Sequence, residues 1–218
     1  YLPETMSSGL ALFDFDGDGW LDVFFANGTS WPGRPGAPTF SALYRNDRDG
    51  TFTDVTKAAG LAVPMFAIGT AAADYDNDGW KDLYVTAIGG NRLFRNLGNG
   101  TFADVTAKAG TRGPGTFGTS AMFFDYDRDG HLDIVIANYV TWTIDQDLFC
   151  TLDGKTKSYC TPESYKGESP TLFRNRGDGT FEDATRKAGL WDPTSKALGV
   201  ALIDHDEDGW PDFVLAND

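Results

Sequence analysis

The chain has 218 residues, enough for one large domain with a sizeable core. Its formal net charge of −14 argues against a nucleic-acid partner, whose phosphates must be neutralised by Lys and Arg. It contains no run of about 18 apolar residues, so no transmembrane segment is expected, and Tyr1–Leu10 lacks the basic and apolar regions of a signal peptide.

The first strong feature in chain order is Asp14-Phe-Asp16-Gly-Asp18-Gly-Trp20-Leu-Asp22. It is followed by Leu43-Tyr-Arg-Asn46 and a turn that runs Asp49-Gly-Thr-Phe52. Both elements then recur. The second copy runs through Asp74, Asp76, Asp78, Trp80 and Asp82 to Leu93-Phe-Arg-Asn96 and Asn99-Gly-Thr-Phe102, with the tail Asp104-Val-Thr-Ala-Lys-Ala-Gly110. The third runs through Asp125, Asp127, Asp129, His131 and Asp133 to Leu172-Phe-Arg-Asn175 and Asp178-Gly-Thr-Phe181. The fourth has only its first half, with Asp204, Asp206, Asp208, Trp210 and Asp212.

Each repeat predicts four antiparallel strands. Strand one is apolar and enters the Asp loop, as in Gly69–Ala73 and Gly118–Phe124, and strand two leaves it, as in Leu132–Ala137. Strand three carries Leu-Phe-Arg-Asn. An Asp-Gly or Asn-Gly turn follows, favourable because these residues accept positive φ, and strand four begins at Thr-Phe. Four such strands per repeat describe a β-propeller blade, so the expected fold is an all-β propeller of about three and a half blades. Blade repeats fall at approximately 7–60, 61–110, 111–190 (with an insertion at 139–169) and 191–218. A propeller this short leaves unpaired edges, so the sequence predicts part of a longer ring.

The interval from Asn46 to Asp74, Asn96 to Asp125 and Asn175 to Asp204 is constant to within one residue. The interval from each Asp loop to the following Asn varies more than twofold. Length variation is therefore confined to the strand two–three connections, at the opposite end of the blade from the Asp loops. Insertions gathered on one face often form a binding face. Trp31, Tyr139, Trp142 and Tyr165 are candidate exposed aromatics there. The alternative is that they pack to tether the insertions.

The Asp loops point to calcium. Carboxylates at positions one, three, five and nine, with the carbonyl of position seven (Trp20, Trp80, His131 or Trp210), can converge on one ion. Ca²⁺ takes six to eight hard oxygens in flexible geometry. Without a cation, each carboxylate pair at about 4 Å repels by roughly 1–4 kcal/mol. About four ions are expected, one per loop, and they would cancel more than half of the −14 charge. An EF-hand is excluded because position twelve is Phe25, Val85, Ile136 or Leu215 instead of Glu. Zinc is disfavoured by the near absence of Cys and His ligands.

Cys150 and Cys160, the only cysteines, share the insertion. A local disulfide is the expectation, with two free thiols the alternative; the disulfide implies an oxidising compartment. Asn27-Gly-Thr29 and Asn99-Gly-Thr101 match the glycosylation sequon. No catalytic motif is present, and both histidines, His131 and His205, lie in Asp loops, so no enzyme activity is expected.

These repeats resemble the FG-GAP/VCBS repeats of integrin α-subunit propellers and of secreted bacterial proteins. The run from Leu172 to Gly189, with Tyr159–Gly167 before it, looks closer still to the ASPIC/UnbV group, which includes the cartilage acidic proteins. The resemblance implies an extracellular, cell-surface or periplasmic, calcium-loaded, often seven-bladed propeller that acts as an interaction module. It would bind protein or glycan on the insertion face, or other subunits of a surface assembly. The alternatives are a domain of a secreted polysaccharide-active enzyme and a structural subunit of a surface assembly.

Overall fold

A computed structural model describes residues 1–6, 8–31, 37–113 and 117–218. Three four-stranded antiparallel sheets and one two-stranded sheet follow one another along the chain. The first contains β1 (Leu10–Phe13), β2 (Asp22–Phe25), β3 (Ala42–Asn46) and β4 (Phe52–Asp54). The second contains β5 (Phe66–Ala73), β6 (Asp82–Ile88), β7 (Arg92–Asn96) and β8 (Phe102–Asp104). The third contains β9 (Gly118–Phe124), β10 (Asp133–Asn138), β11 (Thr171–Asn175) and β12 (Phe181–Asp183), and the last pairs β13 (Ala197–Ile203) with β14 (Asp212–Asn217). Strand order within every sheet is sequential. This is the up-and-down blade of a propeller, and the described sheets do not close into a ring.

Side-chain alternation explains how the blades stack. In β6, Leu83 and Val85 pack into a core shared with Phe13, Phe24 and Leu43 of blade 1, while Tyr84 points the other way. In β10, Ile134 and Ile136 join Tyr84 and Leu93 of blade 2, while Val135, with Leu172 of β11, faces Val200 and Phe213 of blade 4. A period of two therefore sends successive residues to opposite neighbours. Each such side chain contributes roughly 1.5–3 kcal/mol by leaving water. The terminal sheets have one neighbour, and Leu10, Leu12, Leu202 and Val214 are accordingly exposed.

Strand one of each blade lies innermost. Thr119 of β9 donates its hydroxyl to the Ala197 carbonyl of β13 at 2.8 Å. Between β5 and β9 the approach is so close that a Cβ at Gly69 would lie 2.3 Å from the Thr119 carbonyl oxygen, which requires glycine there.

Each of the three four-stranded blades ends in the repeated tail. Thr56 accepts the Leu43 N–H on its hydroxyl, and Thr106 and Thr185 do the same for Leu93 and Leu172. The Asp two residues earlier (Asp54, Asp104 or Asp183) accepts the threonine N–H. These pairs fasten the tail back onto strand three of its own blade.

The insertion does not project as a loop of exposed aromatics. Tyr139, Trp142 and Tyr165 are buried, with Trp142 only 1% exposed, and they pack with Leu2, Ile68, Phe117 and Val140. Trp31 is half-buried, stacked on Phe66 at 4.5 Å and lying 5.4 Å from Trp142. The exposed-face reading is corrected for Tyr139, Trp142 and Tyr165, which take the alternative, packing that tethers the insertion. Large rings of this kind gain more by being buried together than by facing water. The result is a cap that joins the N-terminal turn and blades 1, 2 and 3. Cys150 and Cys160 are disulfide-bonded, and Cys150 pairs with Ser158 in a short bridge. The exposed apolar groups of the insertion are Leu148, Phe149, Leu152 and Tyr159.

Candidate metal centres in the Asp loops

The four Asp loops are the turns from β1 to β2, β5 to β6, β9 to β10 and β13 to β14. The antiparallel order puts them at the same end of the blades as the strand three–four hairpins. Trp80 accordingly packs on Gly98 of its own hairpin and on Gly17 of the neighbouring loop, and His131 packs on Gly177. Trp20 and Trp210 are exposed.

Backbone geometry shapes each loop around its first carboxylate. Asp14 accepts the N–H groups of Gly17, Asp18 and Gly19, at 2.8, 3.1 and 2.7 Å. Asp74 and Asp125 repeat the pattern with Asp78 and Gly79, and with Asp129 and Gly130. The carboxylate at position five accepts the N–H of position seven, from Trp20, Trp80, His131 and Trp210.

The ninth-position aspartate is the most constrained. Asp22, Asp82 and Asp133 are fully buried. Each uses one oxygen to accept the N–H of position two, from Phe15, Tyr75 and Tyr126. The other oxygen accepts the N–H of the strand-three asparagine, Asn46, Asn96 or Asn175, at 2.8 Å in each case. Burial pushes the Asp82 carboxyl up to about 7 and that of Asp133 up to about 6, against the opposing pull of these backbone N–H groups. Asp22 is raised for the same reason.

Three carboxylates per loop bring one oxygen each to within 4.8 Å of the others: Asp14, Asp16 and Asp22; Asp74, Asp76 and Asp78; Asp125, Asp127 and Asp133; Asp204, Asp206 and Asp212. The remaining members, Asp18, Asp82, Asp129 and Asp208, lie outside these triplets. One oxygen of Asp16, Asp76 and Asp127 is buried and has no hydrogen-bond partner. A buried carboxylate oxygen without a donor is costly unless a cation completes it. The donor set is all hard oxygen, which fits Ca²⁺ and not Zn²⁺.

The asparagine and arginine of Leu-Phe-Arg-Asn are the part of this site that spacing alone did not reveal. Asn96 donates its amide to Phe15 O in the preceding loop at 2.8 Å and to Lys81 O in its own loop at 3.1 Å. Asn175 does the same to Tyr75 O and Leu132 O. Arg95 reaches Asp76 at 2.6 Å and Asp78 at 2.8 Å, and Arg174 reaches Asp127 and Asp129 at 2.6 and 2.7 Å. The recurrence of Arg-Asn in every complete repeat was the available signal.

Repeated four-stranded blades with carboxylate loops at one end define this chain as a propeller of the aspartate-loop class. The FG-GAP-like repeat profile matches residues 14–85, 74–136 and 145–215, and the chain belongs to that family. Human Cartilage acidic protein 1 is 54% identical over 46 residues, 21% of this chain and 7% of that protein. Its Xenopus tropicalis counterpart is 27% identical over 215 residues, 96% of this chain and 30% of that protein. The chain thus spans less than a third of the length of the curated relatives it matches. Among solved structures, a rhamnogalacturonan lyase from Bacillus licheniformis aligns over 95% of this chain and 39% of its own at 15% identity, with a TM-score of 0.47. A lectin from Agrocybe aegerita that recognises non-reducing terminal N-acetylglucosamine aligns over 94% and 56% at 19% identity, with a TM-score of 0.33.

Proposed function

We propose that the chain is a calcium-braced propeller segment of an extracellular interaction module. The single observation that supports the calcium reading best is the buried, unpartnered oxygen of Asp16, Asp76 and Asp127, each in a triplet of converging carboxylates. Positions one, three, five and nine would supply the carboxylates: Asp14, Asp16, Asp18 and Asp22; Asp74, Asp76, Asp78 and Asp82; Asp125, Asp127, Asp129 and Asp133; Asp204, Asp206, Asp208 and Asp212. The position-seven carbonyls of Trp20, Trp80, His131 and Trp210 would complete each set. Bound calcium supplies the positive charge that lets these carboxylates sit together.

The likeness to Cartilage acidic protein 1 supports the extracytoplasmic reading, as does the Cys150–Cys160 disulfide. Blade boundaries follow the four sheets, and the chain forms part of a longer propeller. The calcium loops act as braces, and a protein or glycan partner is engaged at the insertion end. Because the predicted aromatics are largely buried there, the partner meets the outer edge of the insertion, where Phe149, Leu152 and Tyr159 are exposed. The chain contributes binding and not chemistry. A chelation experiment tests the calcium reading: EDTA lowers the melting temperature and added Ca²⁺ restores it, whereas an unchanged value refutes it.

A further inference from the structure

Two blades carry a cation of their own inside the Asp loop. Arg95 projects from β7 across to the β5–β6 loop, where its guanidinium lies 2.6 Å from an oxygen of Asp76 and donates to Asp78 at 2.8 Å. Arg174 projects from β11 in the same way, donating to Asp127 at 2.6 Å and to Asp129 at 2.7 Å, with Glu182 4.0 Å away. In each case the guanidinium takes one oxygen of the position-three aspartate, Oδ2, and leaves Oδ1 buried and without a hydrogen-bond partner. Blade 1 is built differently. Arg45 turns to Asp47, and Arg48, from the hairpin, holds Asp18 alone.

We propose that Arg95 and Arg174 are built-in counter-cations that hold loops 2 and 3 together without calcium and thereby keep their calcium affinity low. This rests on the calcium reading of those loops. Two consequences follow from one charge. In the metal-free loop the guanidinium relieves the repulsion among the carboxylates. In the loaded loop it stands one carboxylate away from a divalent ion and repels it. A unit charge at that remove is worth about tenfold in affinity even near the dielectric of water. A residue that only positioned ligands would have the opposite effect on affinity, because its loss would disorder the site.

The test uses the full chain, stripped with EDTA and titrated with CaCl₂ by calorimetry. Wild type is compared with Arg95→Gln, Arg174→Gln and Arg95→Lys, and the melting temperature of each chelated protein is recorded. For each Gln variant, one site tightens about tenfold, the other sites are unchanged, and the chelated protein melts about 2–4 °C lower. Arg95→Lys, which keeps the charge, binds within about twofold of wild type. The two Gln variants are independent, so a failure of one to fold leaves the other to decide. Weakened or unaltered binding in a folded Gln variant, with wild type still taking up calcium, overturns the counter-cation proposal alone. A wild-type chain that takes up no calcium overturns the calcium reading and the proposal with it.

Discussion

The side-chain amide of Asn96 donates to the carbonyl of Phe15 at 2.8 Å, joining two residues 81 positions apart and two blades of the propeller. The same Phe15 gives its N–H to Asp22, and Asn96 gives its own N–H to Asp82. Phe15 of loop 1 is thus held at its N–H by its own ninth-position aspartate and at its carbonyl by the asparagine of the next blade. Asn175 repeats the link to Tyr75.

Asn96→Ala leaves two carbonyls, those of Phe15 and Lys81, without their donor. A buried unsatisfied group costs about 1–3 kcal/mol and the Lys81 carbonyl is only partly buried, so the variant loses about 2–4 kcal/mol in urea unfolding. Asn46, whose amide donates to Leu21 O within its own blade, has a smaller effect when changed to Ala, and equal losses at the two positions would refute the inter-blade role.

Trp142 is buried among the rings of the cap. Trp142→Ala therefore costs about 3–5 kcal/mol. Thermal unfolding measures this directly. A variant as stable as wild type would contradict the packing role of Trp142 and favour the exposed-face reading.

The Cys150–Cys160 bridge closes a separation of 10 residues. Replacing both cysteines with Ser costs about 2–3 kcal/mol on chain-entropy grounds. Limited proteolysis then cuts the variant within residues 150–160 before the blades. Identical cleavage of both proteins would show that the disulfide does not hold the insertion.

Acidity separates the chelated from the calcium-loaded protein. With no ion bound, Asp82 and Asp133 protonate at about 7 and about 6, well above the unfolded carboxyl value of 3.8. The folded state then binds more protons than the unfolded state, so stability rises as pH falls from about 7 towards 5. Carboxylates with depressed values, such as Asp47, Asp49 and Asp54, act in the opposite direction, but below that window. With calcium bound the trend reverses, because protons compete for the ligand oxygens. Melting curves from pH 5 to 8, with and without EDTA, show opposite slopes, and parallel slopes would contradict the assignment.

The blades were legible because each strand boundary is marked by a local signal. Asp-Gly and Asn-Gly turns end β3 and β7, and apolar runs enter the Asp loops. What could not be read depended on distant partners. Asn96 was visible as a repeated residue, but its acceptor lies in another blade. Tyr139, Trp142 and Tyr165 sit in a segment with no strand or helix period, so nothing local gave the direction of their rings. Their burial is set by Leu2, Ile68 and Phe117, which arrive from three other parts of the chain. The arginines were part of the motif, but their targets depend on a hairpin end that is common to loop and strand three.

The most direct test of the central claim is the calcium content of the dialysed chain, by calorimetric titration of wild type and Asp76→Ala. About four ions per chain are expected, one for each carboxylate triplet, with one of them lost in the variant. A chain that binds no calcium, or a variant that binds as many ions as wild type, would contradict it.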